Sequence, residues 1–174
     1  MNPFTTVTEE SYVRLDVTAP PRGSQGTTYP VFIGQDPTEH FIRHLSHLDG
    51  LRTIVILADE NTGEIIGPAL EIALITAGYQ VVPLTIPAGE EHKSWAVAGE
   101  ILEAVADQHL SPGDMIVGLG GGVVCDLAGL VAATYRRGVR LALIPTSLVA
   151  MVDAAYGGKN AVNLRAGKNL AGTY

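Results

Sequence analysis

Cysteine is almost missing from this sequence: among 174 residues only Cys125 carries a thiol. No intrachain disulfide can form, and a lone thiol fits a reducing compartment, so the cytoplasm is the expected location. Long apolar runs are missing too. None approaches the roughly 20 residues that span a bilayer, so no membrane association is expected. The opening MNPFTTVTEESY lacks a basic start followed by an apolar core, and no secretory signal is read there. Lysine is scarce, with Lys93, Lys159 and Lys168 the full set, and the formal net charge is −7. An acidic chain poor in lysine makes a weak nucleic-acid binder, and nucleic acid is not an expected partner. Charged residues are 17% against 47% hydrophobic, which excludes a disordered chain and leaves a globular domain with a real core.

The charge that is present is unevenly placed. Residues 1–92 hold four Arg and no Lys against twelve acids, whereas residues 93–174 hold four Arg and three Lys against six. A local excess of cations in the second half suits a small anionic ligand.

Alternating and apolar runs at Tyr12–Val17 and Tyr29–Ile33, separated by the loop-like APPRGSQGT, predict a β-hairpin at the start. Asp36-Pro37-Thr38-Glu39 has a capping-box pattern with proline at the first helical position, predicting a helix to about Leu48. From Thr53 onward strands and helices alternate. Thr53–Ala58 reads as a strand, and a helix then runs to about Ala77 with Leu70, Ala73, Leu74 and Ala77 on one face and Gly78 as its stop. Gln80–Ile86 is a strand, Ser94 caps a helix to about His109, SPGD at 111–114 is a turn, and Arg140–Ile144 is the last strand. Successive strand–helix units predict an α/β, Rossmann-like fold: a mainly parallel twisted sheet with flanking helices, preceded by the hairpin. Ligands of such sheets gather beyond the carboxyl ends of the strands. The loops to search are therefore Asp59-Glu60-Asn61, Pro87–Lys93, Gly118–Asp126 and Pro145-Thr146-Ser147.

The densest of these is MIVGLGGGVVCDLAGLVAATYRRG, Met115–Gly138. A short apolar strand meets glycines at 118, 120, 121 and 122, and a helix from about Val124 to Tyr135 follows in which Asp126 is the single charge. Strand, glycine turn and helix N-terminus together suit pyrophosphate. Tight strand-to-helix packing uses glycine as well, and G-x-G-x-x-G is not met, because Cys125 holds the third glycine position counted from Gly120. Both readings stand.

All three lysines lie in loops flanked by glycine or acid, where an ammonium serves as a point charge for phosphate or carboxylate. Asp59 after a buried strand suits either a ribose diol or a turn. Asp126, near a helix start, is expected to meet a hydroxyl or an amide rather than phosphate. His40, His44 and His47 form one stripe beside Phe41, Leu45 and Leu48. With no completing ligand, a solvated flank is the expected reading over a metal site.

Four motifs carry a resemblance. PAGEEHKS is similar to P-x-G-E-x-x-K-S/T, GGGVVCDLAGLVAATYRRG to GGGVVGDLAGFVAATYxRG, IPTSLVAMVDAAYGGKNAVN to PTTLLAQVDSSVGGKTGVN, and AGKNLAGTY to GKNLxGAF. In this order they resemble the 3-dehydroquinate synthase family over roughly Tyr29–Tyr174. The resemblance implies a phosphate-eliminating lyase of the shikimate pathway, in which NAD oxidises a hydroxyl of a seven-carbon sugar phosphate, phosphate leaves, the ketone is reduced again and the ring closes. It implies NAD on Asp59, Asn61, Glu90, Lys93, Gly121, Gly122, Val123, Asp126, Thr146, Ser147 and Lys168. It implies substrate on Asp153, Lys159 and Asn169, with Arg137 reaching a pocket across a homodimer interface.

Departures from the pattern leave other readings open. Cys125 stands for glycine, and its side chain is expected to crowd the phosphate loop, so that Cys125→Gly would tighten NAD binding. Ala154-Ala155-Tyr156, Asn160-Ala161 and Leu164-Arg165 also differ, as for a cyclase acting on another sugar phosphate, such as a valiolone or deoxy-inosose synthase. The glycerol and iron-dependent alcohol dehydrogenases share the glycine loop, and a non-catalytic nucleotide-binding module is the remaining reading. Members of the resembled family continue into a helical domain that holds zinc or cobalt on one Glu and two His. Residues 1–174 read as the NAD-binding domain alone, with no metal ligands assigned and no cyclase activity expected by itself.

Overall fold

The computed structural model describes residues 4–9, 12–18 and 28–174. The chain divides into two compact units, Met1–Leu48 and Asp49–Tyr174. In the first, strands β1 (Phe4–Glu9), β2 (Tyr12–Thr18) and β3 (Thr28–Gly34) pair antiparallel in chain order. The expected hairpin is β2–β3. Strand β1 is additional: its Thr- and Val-rich residues have strand propensity that a reading of that stretch for targeting signals passes over. Residues 19–27, expected as a loop, lie outside the described residues.

Helix α1 (Thr38–Leu45) ends a turn earlier than Leu48 and lacks the expected capping box. Asp36 adopts a left-handed φ of 49°, its carboxylate is 3.4 Å from the Thr38 amide, and Glu39 pairs forward with Arg43 at 2.9 Å instead of reaching back. Of the histidine stripe only His47 is a solvated flank. His40 stacks on Tyr12 with ring centroids 3.5 Å apart, His44 lies against Phe32, and His47 donates to the Arg43 carbonyl at 2.8 Å. Aromatic side chains on the strands give two of the three rings a surface to cover, which helical periodicity alone does not disclose.

The second unit is built on four parallel strands, β4 (Thr53–Asp59), β5 (Gln80–Ile86), β6 (Met115–Gly120) and β7 (Arg140–Pro145), in the order β5-β4-β6-β7. Residues 54–58 and 115–120 are buried without interruption, as central strands covered on both faces require. Val55, Leu57 and Ile116 pack with Ile101 and Val105 of α4 (Trp95–Asp107) and with Val124, Leu127 and Val131 of α5 (Gly122–Thr134). Ser94 caps α4 as expected, accepting from the Val97 amide at 3.3 Å.

Two expectations change. The single helix to Ala77 is two, α2 (Glu60–Ile65) and α3 (Gly67–Thr76). Pro68 has no amide to bond back to residue 64, and its ring disfavours a continuous helix there. Glycines 118 and 120, expected in the turn, lie in β6; the turn itself is Gly121, and α5 starts two residues before Val124. A Cβ on Gly118 would stand 2.8 Å from Ala128 Cβ and 2.9 Å from Leu143 Cδ2, and one on Gly120 2.6 Å from Val124 Cγ2. These two glycines let α5 lie close on the sheet.

After β7 comes a turn of π-helix at Ala150–Ala154. An antiparallel pair unannounced by periodicity follows, β8 (Asn160–Leu164) and β9 (Gly167–Thr173). Lys168 is thus the second residue of β9 and not a loop residue. The pair leans on α5 so closely that a Cβ on Gly129 would fall 1.8 Å from Asn160 Oδ1.

The amino edge of the sheet is pinned by Asp114, which is 5% exposed. Its oxygens accept from the amides of Arg52, Thr53 and Ser111 at 3.1, 2.8 and 2.7 Å. Arg140 braces the same edge, donating to the carbonyls of Gly113 and Asp49.

Candidate functional site

Strand order reverses between β4 and β6, and a parallel sheet opens a crevice at such a point, beyond the strands' carboxyl ends. Asp59 ends β4 there. Its Oδ1 accepts from the Asn61 and Thr62 amides at 3.0 and 2.9 Å, capping α2. The turn-forming role is therefore real, and Oδ2 keeps its lone pairs for another partner. The Thr62 hydroxyl donates to the Leu119 carbonyl at 3.0 Å, tying α2 to the end of β6.

On the other side of the crevice α5 begins at Gly122 with no side-chain cap. Its first amide groups point out of the sheet with the positive end of the helix dipole behind them. A Cβ on Gly121 would meet only Ser147 Oγ at 3.8 Å, and one on Gly122 only Ala154 Cβ at 4.0 Å. These are the glycines that leave approach space. Val123 is half-buried against the core. Thr146 donates its amide to the Gly120 carbonyl at 3.0 Å, and Ser147 Oγ accepts from the Ala150 amide at 3.3 Å, so both stand beside the glycine turn.

A second cluster lies across the loop after β5. Lys93 is buried and makes an ion pair with Asp126 of α5, while its Nζ also donates to Asn169 Oδ1 at 2.6 Å. Burial pushes the Asp126 carboxyl above the usual carboxylate range, and the Lys93 ammonium and the Ala161 amide pull against it. Asp126 thus meets an amide and a cation of the protein itself. Lys93, read as a point charge for phosphate or carboxylate, has the Asp126 carboxylate beside it. Glu90 accepts from Asn163 Nδ2 at 2.8 Å and faces Lys168 Nζ at 3.6 Å. The Asn163 hydrogen bond is the main reason its carboxyl sits below the ordinary range, burial opposing it and Lys168 adding to it.

Of the expected residues, Glu90, Lys93, Asp126, Lys168 and Asn169 form one connected network. Asp59, Asn61, Gly121, Gly122, Thr146 and Ser147 line the ends of β4, β6 and β7. Asp153 is exposed in the π-turn, its carbonyl accepting from the Gly157 amide at 2.9 Å. Lys159 and Arg137 are exposed and make no ion pair among the described residues. Arg137 follows Arg136 in the left-handed region, with φ of 68° and 49°. The residue the motifs did not single out is Asn163, the link between Glu90 and Asn169. An uncharged amide on an unrecognised strand gives no chemical signal in sequence.

Cys125 does not crowd the glycine turn. Its side chain is fully buried, Sγ lies 3.7 Å from the Gly120 carbonyl, and burial, with Asp126 nearby, pushes the thiol up to about 12. It sits in the first turn of α5 on the face turned to the core, so the position that sequence spacing puts in the phosphate loop points away from it. No group of three His, Cys, Asp or Glu side chains able to hold a metal ion occurs among the described residues. Nor is any helix there long and apolar enough to cross a membrane.

Residues 83–174 match the family model described as 3-dehydroquinate synthase N-terminal. The chain is 42% identical over 147 residues to a 3-dehydroquinate synthase of Paracoccus denitrificans, covering 84% of this chain and 40% of that one. It is 41% identical over 140 residues to one of Lactiplantibacillus plantarum, covering 76% and 39%. The chain therefore spans about two fifths of the length of these curated relatives. A 2-deoxy-scyllo-inosose synthase crystallised with carbaglucose-6-phosphate, NAD+ and Co2+ superposes with a TM-score of 0.76 at 26% identity, over 84% of this chain and 40% of its own. A glycerol dehydrogenase from Schizosaccharomyces pombe, at 20% identity and a TM-score of 0.59 over 75% and 30%, shares the fold alone.

Proposed function

This chain belongs to the 3-dehydroquinate synthase family, and we propose that it is the NAD-holding part of a 3-dehydroquinate synthase. The whole enzyme would convert 3-deoxy-D-arabino-heptulosonate 7-phosphate to 3-dehydroquinate with loss of phosphate. The observation that carries this reading is the uncapped start of α5, with open space above Gly121 and Gly122 at the crevice between β4 and β6. Bound there, NAD supplies reversible hydride transfer, which acidifies the C–H next to the oxidised carbon and so lets phosphate depart.

The chain's own residues bind and orient. The first amides of α5 receive the pyrophosphate, with Ser147 and Thr146 beside them. Asp59 Oδ2 accepts from a ribose hydroxyl, and Lys168, mostly exposed, balances phosphate charge. Lys159, Asp153 and Asn169 line the place for the sugar phosphate, and Arg137 extends toward a second copy in a homodimer. The described residues offer no ligand set for zinc or cobalt, so no step here runs through a metal. A related reaction on another sugar phosphate is the second reading, favoured by the likeness to 2-deoxy-scyllo-inosose synthase.

Calorimetric titration of NAD into the 174-residue chain tests the binding role, with saturable heat expected. Phosphate release from the seven-carbon substrate, with NAD and added zinc or cobalt, is expected to stay at background. No NAD heat would overturn the binding role, and turnover by this chain would overturn its inactivity.

A further inference from the structure

We propose that Asn163 is a positioning residue: its carboxamide clamps the start of β9 to the loop after β5, so that Lys168 is presented to the ligand beside Glu90, with the buried Lys93 anchoring Asn169 beneath them. For the nature of that ligand the inference rests on the NAD reading above. Asn163 Nδ2 donates to Glu90 Oε1 at 2.8 Å and lies 3.4 Å from the Glu90 carbonyl. Its Oδ1 accepts from the Asn169 amide at 3.0 Å, and its own amide donates to the Lys93 carbonyl at 2.8 Å. One side chain thus joins two segments that approach each other only through the fold.

The chemistry of the position is narrow. One neighbour, the Glu90 carboxylate, only accepts; the other, the Asn169 amide, only donates. A residue between them must do both at once, which a carboxamide does and a carboxylate or an alkyl group does not. Asn169 also needs holding. Its φ of 57° is left-handed, a conformation that Asn enters when its side chain and amide find partners nearby. In that conformation its Oδ1 receives Lys93 Nζ. Lys168 immediately precedes it, so the turn that Asn163 fixes also aims the exposed cation. The lowered Glu90 carboxyl is consistent with this, since Asn163 is the main cause.

Three variants of the 174-residue chain, titrated with NAD between pH 5 and 8, test the clamp. Asn163→Asp puts a second carboxylate against Glu90 and removes the donor. It is expected to weaken binding about tenfold at pH 7.5, and to recover as acid restores an O–H to the pair. The double variant Glu90→Gln with Asn163→Asp exchanges donor and acceptor at constant charge, and is expected to bind more tightly than Asn163→Asp alone by about threefold or more. Asn163→Leu is expected to bind weakly at every pH. Binding by Asn163→Asp equal to the parent throughout, or a double variant no better than Asn163→Asp, overturns the proposal. Amide hydrogen exchange at Asn169 gives a readout independent of NAD and of variant stability: slow in the parent, as expected, or fast, which overturns the clamp. A parent chain that takes up no NAD overturns the proposed function instead, and the exchange at Asn169 still decides the clamp.

Discussion

Cys125 and Asn163 bracket what one residue discloses before its surroundings are known. Counting from Gly120 puts a side chain at Cys125 where backbone and pyrophosphate would meet, yet the helix turns that side chain into the core. Cys125→Gly is therefore expected to leave NAD affinity unchanged. It should cost about 2 kcal/mol of stability, from lost helix propensity and a small void. Urea denaturation and calorimetry on the two forms check both halves, and tighter nucleotide binding by the glycine form would restore the crowding argument. At Asn163 the sequence holds a motif letter without charge, titration or reactivity. Only the closure of β8 onto the loop after β5 gives it partners. The charged residues were legible because few other places in this chain carry charge, and their pairing was not. Lys93 reads as a point charge for phosphate or carboxylate, and only the fold shows that the carboxylate is Asp126.

Among elements, the strand–turn–helix unit β6–Gly121–α5 divides its glycines between two tasks, and a pair of substitutions separates them. Gly118→Ala presses a methyl into the tip of Leu143 and into Ala128, whose Cβ cannot withdraw without lifting α5. A loss of about 3 kcal/mol, the upper end for overpacking, is expected in urea denaturation. Gly121→Ala meets open space at an ordinary backbone conformation, so its stability should match the parent. The methyl then stands where the ligand approaches, and calorimetry should show NAD binding weakened about tenfold or more. Equal effects of the two on stability would dissolve the distinction. The parallel strands were readable because each is a short apolar run bounded by turn residues, and α4 because its cap and apolar spacing agree. Other features were hidden by weaker signals. Pro68 sits two residues past the break at Ile66, β1 lies in a stretch read only for the absence of a leader pattern, and the β8–β9 turn at Arg165-Ala166 has none of the Asn-Gly chemistry that marks a two-residue hairpin.

Across the whole molecule, three acids set how the fold responds to acidification. Burial raises Asp114, but its hydrogen bonds from Thr53, Ser111 and Arg52 outweigh that and hold it below the ordinary range; Glu90 is also lowered, chiefly by Asn163. A carboxyl lowered in the fold adds stability above its unfolded pKa, about 3.9 for Asp, and loses it as pH falls through the folded value. Asp126 has the opposite sign. Raised by burial, it takes a proton first, which favours the fold until the unfolded carboxyl is protonated too. Stability is therefore expected to hold or rise slightly from neutral pH down to about 4, then fall steeply. Asp114→Asn should lose about 1–3 kcal/mol at neutral pH and show a shallower acid limb. Urea midpoints at a series of pH values check this, and an unchanged acid limb in the variant would remove Asp114 as its source. The same long-range pairing also carries a consequence in time. Lys93 and its acceptor Asn169 stand 76 residues apart in the chain. At ribosomal rates of about 5–20 residues per second, some 4–15 s separate their synthesis. Asp126 is synthesised well inside that interval, so Lys93 has its counter-charge available before the hairpin that completes the cradle exists. A growing polypeptide would then acquire its anion-gathering surface after the strands and helix beneath it.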